Sequence, residues 1–195
     1  LRLFGDAKDY VGKGMSGGRI AISPHHKTNI VANRSAIIGN TCLYGATGGE
    51  LYAAGQAGER FAVRNSGAIA VVEAVGYHGC EYMTSGTVVV LGRTGSNFAA
   101  GMTGGRAFVL DMHDDFERRC NPAQVTVASM NLDEDSADRA LVKSLVEAHV
   151  YYTNSEWGQR ILDNFEHFMF KFRVVEPKQE NVDKSAATVP LKVVG

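Results

Sequence analysis

Short aliphatic runs in the first 110 residues are separated by small and polar positions, and the arrangement repeats. Five segments align on Gly18, Gly49, Gly67, Gly86 and Gly105. A small residue precedes each glycine (Gly17, Gly48, Ser66, Ser85, Gly104), and a small polar one precedes that (Ser16, Thr47, Asn65, Thr84, Thr103). The second position after the glycine holds Ile20, Leu51, Ile69, Val88 and Ala107; the fourth holds Ile22, Ala53, Val71, Val90 and Val109. Two apolar columns two residues apart share one face of an extended strand. The intervals between anchors are 31, 18, 19 and 19 residues. Such a unit is too short for a helix pair or a propeller blade and fits one coil of a β-solenoid. The predicted fold is therefore mainly β, a right-handed parallel β-helix (a single-stranded solenoid), with the handedness taken from the crossover rule. The five anchors are its structural repeat glycines, set at corners where φ is positive or a neighbouring backbone excludes a Cβ. The two aliphatic columns face inward, and the Ser/Thr/Asn column forms a hydrogen-bonded ladder.

The first interval carries 12 residues too many. Either Ser23–Asn29, polar and containing Pro24, bulges out as a loop, or Asn29–Asn40 forms a further degenerate coil. Beyond Leu110 the pattern changes. Asp111–Asp115 breaks it, Asn121-Pro122 marks a turn, and Val125-Thr126-Val127 suits a short strand. Asp133-Glu134-Asp135-Ser136 offers caps and acids for a helix start. Ala137, Leu141, Leu145 and Ala148 then recur at helical spacing, and Thr153-Asn154-Ser155 caps a second helix with Trp157, Ile161, Phe165 and Phe168 on one face. An αα-hairpin follows, laid over an open end or flank of the solenoid. Phe172–Val175 is extended and Pro177 ends it. The expected organisation is one domain over residues 1–195. It comprises a glycine-repeat β-helix at 1–112, a junction at 113–135 that is solvated over Asp114–Cys120, a helical hairpin at 136–170, and an extended segment and tail at 171–195.

Glycine content sharpens this division: 20 of the 22 glycines fall in residues 1–105. So does charge, with residues 1–110 at +4 (10 Lys+Arg, 6 Asp+Glu) and residues 111–195 at −5 (10 and 15). The resulting net charge of −1 argues against a nucleic-acid partner. No apolar run approaches the ~20 residues that span a bilayer, so no membrane partner is expected. Cys42, Cys80 and Cys120 lie far apart with no C-x-x-C pair, which points to buried thiols in a reducing cytoplasm.

Candidate chemistry is sparse. Gly12-Lys13-Gly14-Met15-Ser16-Gly17 matches G-x-G-x-x-G, but a strand-like run follows where a dinucleotide site needs a helix. His78-Gly79-Cys80-Glu81 offers three ligand types, yet strand alternation sends Cys80 and Glu81 to opposite faces. His25 and His26, adjacent in an extended loop, are expected to point apart. Glu59, Arg60, Arg64 and Glu73 are placed on the outer face or at corners. Asn33-Arg34-Ser35 is a glycosylation sequon with no secretory signal beside it. The residues yield no catalytic, cofactor-binding or metal site.

Taken together the motifs resemble the C-terminal β-helix (GXGXG) domain of the glutamate synthase large (alpha) subunit, most closely the bacterial NADPH-dependent enzymes. The resemblance is carried by Gly5-Asp6-Ala7, Asp9–Gly18, Ile38–Gly49, Ala57–Ala68, Gly79–Thr84, Asn97–Gly105 and Tyr152–Ser155. It implies a fragment of a larger chain, with the first coil or coils lying before Leu1. It also implies a parent oxidoreductase that makes glutamate from glutamine and 2-oxoglutarate. In that family one domain releases ammonia from glutamine, and an FMN and 3Fe-4S domain uses it. A small subunit with FAD supplies electrons from NADPH. The β-helix domain itself holds no cofactor and acts as a scaffold between the other domains. Its implied partners are those domains and the small subunit. A different class is a stand-alone solenoid subunit of another redox enzyme, similar to the glycine-repeat subunit of formylmethanofuran dehydrogenase.

Overall fold

The aliphatic columns stack as parallel strands in the computed structural model, which describes residues 1–121, 123–130, 133 and 136–178. Strands β1 (Arg2–Phe4), β2 (Ser16–Ser23), β4 (Gly48–Ala57), β5 (Ser66–Val75), β6 (Ser85–Val90) and β7 (Arg106–Leu110) pair in that order, each parallel to the next. Short β3 (Ala36–Ile38) pairs with the far end of β4. The extra residues of the first interval are thus a loop thrown out between β2 and β3, and not a further coil. The chain rejoins the same coil at Ala36, beside Gln56.

Register corrects one alignment. Leu51 pairs with Ala70 and Ala70 with Val88; Ala53 pairs with Val72 and Val72 with Val90. Ala70 and Val72 therefore occupy the inner columns, while Ile69 and Val71 face outward. The cause is a bulge between Ser66 and Ile69. The buried Asn65 carboxamide holds it, accepting from the Gly67 and Ala68 amides at 3.2 and 2.9 Å and donating to the Ala68 carbonyl at 2.9 Å. One extra residue flips the face of everything after it. The small polar column does not form the expected ladder through Asn65, whose side chain bonds within its own coil. Between coils the column is tied by backbone: the Thr47, Thr84 and Thr103 amides donate to the carbonyls of Met15, Asn65 and Met83.

Gly18, Gly49, Gly86 and Gly105 take φ of +77°, +93°, +93° and +78°. Gly67 does not, but a Cβ there would sit 2.3 Å from the Thr47 carbonyl oxygen.

Opposite the sheet, each coil returns through a segment with φ positive at every second residue. The positions are Tyr10, Gly12, Gly14; Thr41, Leu43, Gly45; Arg60, Ala62, Arg64; His78, Cys80, Tyr82; and Asn97, Ala99, Gly101. All have φ between 53° and 69°. Most are not glycine, and each such residue costs about 1–2 kcal/mol in this conformation. The stacking repeats one bonding trio. The Thr41 amide donates to the Glu59 carbonyl, the Ala62 amide to Cys42, and the Gly45 amide to Val63, at 2.8, 2.8 and 3.0 Å. One coil on, Arg60 donates to Tyr77, Cys80 to Phe61, and Arg64 to Glu81, each at 2.8 Å. Neighbouring coils hold this backbone, so the strained conformation survives without glycine. Between the two walls lies a core of small residues with Phe61, Met83 and Phe98.

The last coil is closed by chain predicted to be a solvated junction. Phe116 is buried and packs edge-on against Phe98 with ring centroids 5.5 Å apart. The Phe98 amide donates to the Arg119 carbonyl at 2.9 Å. Buried Asp111 accepts from the Asp115 and Phe116 amides at 3.2 and 3.3 Å. β8 (Val125–Ser129) and β9 (Phe172–Pro177) complete the sheet in the antiparallel sense, β9 lying between β7 and β8. An antiparallel finish ends the stack of parallel strands.

Helices α1 (Ala137–Thr153), α2 (Glu156–Asp163) and α3 (Phe165–Met169) cover the outer face of the sheet, so the flank is what the hairpin protects. The buried stripe of α1 runs through Val142, Leu145, Val146, His149 and Thr153, with Leu141 and Ala148 at its margin. The expected second helix breaks at Asn164 into two. Asn154 caps α1 at φ +54°. The second core joins Tyr52, Val71, Val89 and Phe108 of the sheet to Val146, Ile161, Phe165 and Phe168 of the helices. The Trp157 indole N–H donates to the Leu91 carbonyl at 2.6 Å. Of the expected helix-start residues, Ser136 holds the N-cap position without a side-chain capping bond, and Glu134 and Asp135 lie outside the described residues. The same is true of Pro122 and of the tail beyond Lys178.

Candidate functional site

The loop between β2 and β3 does not lie flat. It stands beside the turn joining α1 to α2 and encloses with it a cleft of about 770 Å³, floored by Ala54. His25, His26, Asn33 and Arg34 line the loop side; Asn154, Ser155, Trp157 and Arg160 line the helix side. The His25 and His26 rings stack 4.2 Å apart, so these neighbours do not point apart as an extended loop predicts; the chain turns at His26-Lys27, where the Thr28 amide donates to the His25 carbonyl at 2.9 Å. Three apolar side chains at the mouth are open to solvent: Phe4 at 53%, Ile30 at 47% and Val31 at 57%.

Ser155 links this cleft to the buried interior. Its hydroxyl accepts from the Gly158 amide at 2.8 Å, capping α2, and donates to the Glu73 carboxylate on the outer face of β5. His149 Nε2 lies 3.4 Å from the same carboxylate oxygen. The sequence places Glu73 on the outer face or at a corner. It does stand on the outer side of the sheet, but the helices cover it to 2% exposure. Glu73 Oε2 and His149 Nδ1 have no hydrogen-bond partner among the described residues. The order is serine–glutamate–histidine, with the carboxylate central. No imidazole reaches the hydroxyl to take its proton, as nucleophilic catalysis requires. The cluster fastens the helices to the sheet. Its sequence signal is His149 on the buried stripe of α1, seven residues after Val142.

Among the described residues the other singled-out residues form no common site. Gly12 and Gly14 belong to the first alternating wall segment, and β2 begins at Ser16, so no helix N-terminus meets this glycine motif. His78 Nδ1 and Glu81 Oε1 are 2.8 Å apart, while Cys80 is fully buried between them in sequence. Among the described residues no group of three or more His, Cys, Asp or Glu side chains is placed to hold a metal ion. Glu59 and Arg60 are exposed, and Arg64 reaches the Tyr44 hydroxyl at 3.5 Å. All three thiols are unpaired and buried. Burial pushes Cys42 up to about 11 and Cys120 up to about 12, and raises Cys80 as well. Such thiols are inert as nucleophiles.

At the edge of the cleft-bearing face, Arg19 pairs with Glu50 at 2.6 Å and stacks over the Tyr152 ring at 4.1 Å. Its hydrogen bond holds the Glu50 carboxyl below the usual range. Among the described residues no helix is long and apolar enough to cross a membrane.

The GXGXG motif family matches residues 1–178. The chain is 51% identical over 179 residues to glutamate synthase [NADH] of Schizosaccharomyces pombe, covering 92% of this chain and 8% of that protein. It is 49% identical over 188 residues to ferredoxin-dependent glutamate synthase 1 of Arabidopsis thaliana, covering 96% and 11%. It is 50% identical over 179 residues to the glutamate synthase [NADPH] large chain of Bacillus subtilis, covering 91% and 12%. The likeness is level across the three types, so it does not single out the bacterial NADPH-dependent enzymes. The chain spans about a tenth of the length of these relatives. Matched along nearly its whole described length, the chain belongs to the GXGXG motif family.

Proposed function

We propose that this chain is a non-catalytic structural domain of a glutamate synthase large chain, an oxidoreductase of glutamate biosynthesis from glutamine and 2-oxoglutarate. In this role it spaces the ammonia-releasing amidotransferase domain from the FMN and 3Fe-4S synthase domain. The cofactors reside in those other parts, with FAD and NADPH entering through a small subunit where the enzyme is of that type. A cytoplasmic location suits three unpaired thiols.

One observation carries this function. Identity stays near one half to relatives named for NADH, for ferredoxin and for NADPH. A segment that handled electrons would differ with the donor; a spacer serves all three alike. The fold supports the same role. Six parallel strands from β1 to β7 make five steps of ~4.8 Å, a stiff rod of about 24 Å. Both of its walls are hydrogen-bonded from coil to coil.

The test is to purify residues 1–195 alone and assay glutamine hydrolysis and NADPH oxidation. Neither activity is expected. Turnover of either substrate by the isolated chain overturns the assignment.

A further inference from the structure

The cleft between the β2–β3 loop and the α1–α2 turn has no role in a spacer that only keeps distance. Phe4, Ile30 and Val31 leave its mouth apolar and exposed. With Trp157 they offer apolar surface inside the cleft on which a partner's side chains can pack. Its walls are also cationic. Arg19, Arg93, Arg106, Arg119, Arg139 and Arg173 pair with carboxylates, whereas among the described residues Arg2, Arg60, Arg64 and Arg118 do not and stand singly elsewhere. Arg34 and Arg160, on opposite walls of the cleft, have no carboxylate partner among the described residues. Among the described residues the one carboxylate lining the cleft, Glu156, sits in the first turn of α2, where the helix dipole favours it.

We infer that this cleft docks an acidic, extended segment of the same large chain from outside residues 1–195, its carboxylates meeting Arg34 and Arg160 and its apolar side chains meeting Ile30, Val31 and Trp157. This rests on the proposed place of the chain within a longer polypeptide. Two observations select the occupant. The relatives are about ten times longer than the matched segment, so ample chain is at hand. The charge left open on the cleft walls is positive, and an acidic segment complements it. The contact would fix the solenoid's orientation as well as its distance.

The experiment uses the full-length large chain with its subunits. A photo-reactive p-benzoylphenylalanine replaces Ile30 in one variant and Val31 in another, with exposed Thr84 as the control position. Crosslinked peptides are mapped by mass spectrometry. The expected result is a crosslink from both cleft positions, absent from the control, to one carboxylate-rich segment of the same polypeptide. Arg34→Glu with Arg160→Glu should lower its yield severalfold, and reversing the mapped carboxylates to lysine should restore it. The docking is overturned by a crosslink to another polypeptide or a second copy, by no crosslink above the control, or by a yield indifferent to the arginine changes. Glutamate synthase activity of the same preparation separates the two ideas. Activity without the crosslink sinks the docking alone; the crosslink without activity sinks the parent enzyme's assignment alone.

Discussion

Ser155 reaches across 82 residues of sequence to donate its hydroxyl to the carboxylate of Glu73, while its oxygen caps the first turn of α2. One side chain thus ends a helix correctly and pins that helix to the sheet. Ser155→Ala removes both contacts and leaves a buried carboxylate short of a donor. The expected loss is about 2–3 kcal/mol, more than a cap alone. Urea unfolding of the purified chain measures it; a change of a few tenths would show that the contact to Glu73 contributes nothing.

Gly86→Val should destabilise by about 3 kcal/mol or more, because φ is +93° and a Cβ would meet the Ala68 carbonyl oxygen at 2.4 Å. A midpoint shift in thermal unfolding is the readout. A loss within a few tenths of a kcal/mol counts against the corner geometry.

The alternating wall makes the opposite prediction. Arg60 is exposed at φ +59°. Arg60→Gly should leave stability unchanged or raise it by up to about 1 kcal/mol, as the left-handed strain is relieved. Clear destabilisation would mean that the arginine side chain, and not the backbone ladder, holds that segment.

Thiol chemistry gives a pH prediction. Cys42 and Cys120 are raised in the folded chain from an ordinary 9.0 to about 11 and about 12. Their folded forms hold the proton more tightly, so their contribution is complete below pH 9 and falls as pH rises from there toward 11 and 12. Unfolding midpoints measured from pH 7 to 11 should be level at first and then decline above pH 9. At pH 8 an aromatic disulfide reagent should label none of the three thiols until the chain is unfolded. Prompt labelling of the native protein contradicts the burial.

How much of this was legible follows from which signal each part leaves. The strand columns repeat because each coil must bury the same inner face, so Leu51, Val88 and Ala107 announce themselves. Ile69 and Val71 mislead, since an aliphatic side chain suits either face when helices cover the outer one. The bulge that decides the matter depends on the Asn65 side chain, which in sequence is one more small polar residue. The alternating wall left still less trace. Its left-handed positions hold Arg, Ala, Cys, Tyr and Leu, because neighbouring coils, not side-chain identity, stabilise the backbone. Phe116 is lost among the charges of Asp114–Arg119, yet it closes the core. The cleft arises from a loop and a turn more than a hundred residues apart, and no local pattern brings them together.

The spacer role is tested most directly in the full-length large chain carrying Gly86→Val, with loss of the solenoid confirmed by labelling at Cys42 and Cys80. Two half-reactions, glutamine hydrolysis and glutamate formation from added ammonia, are measured alongside the glutamate formed per glutamine hydrolysed. A spacer predicts that both half-reactions persist and the yield per glutamine falls severalfold. An unchanged yield with the solenoid unfolded, or loss of a half-reaction while the other domains remain folded, would contradict it.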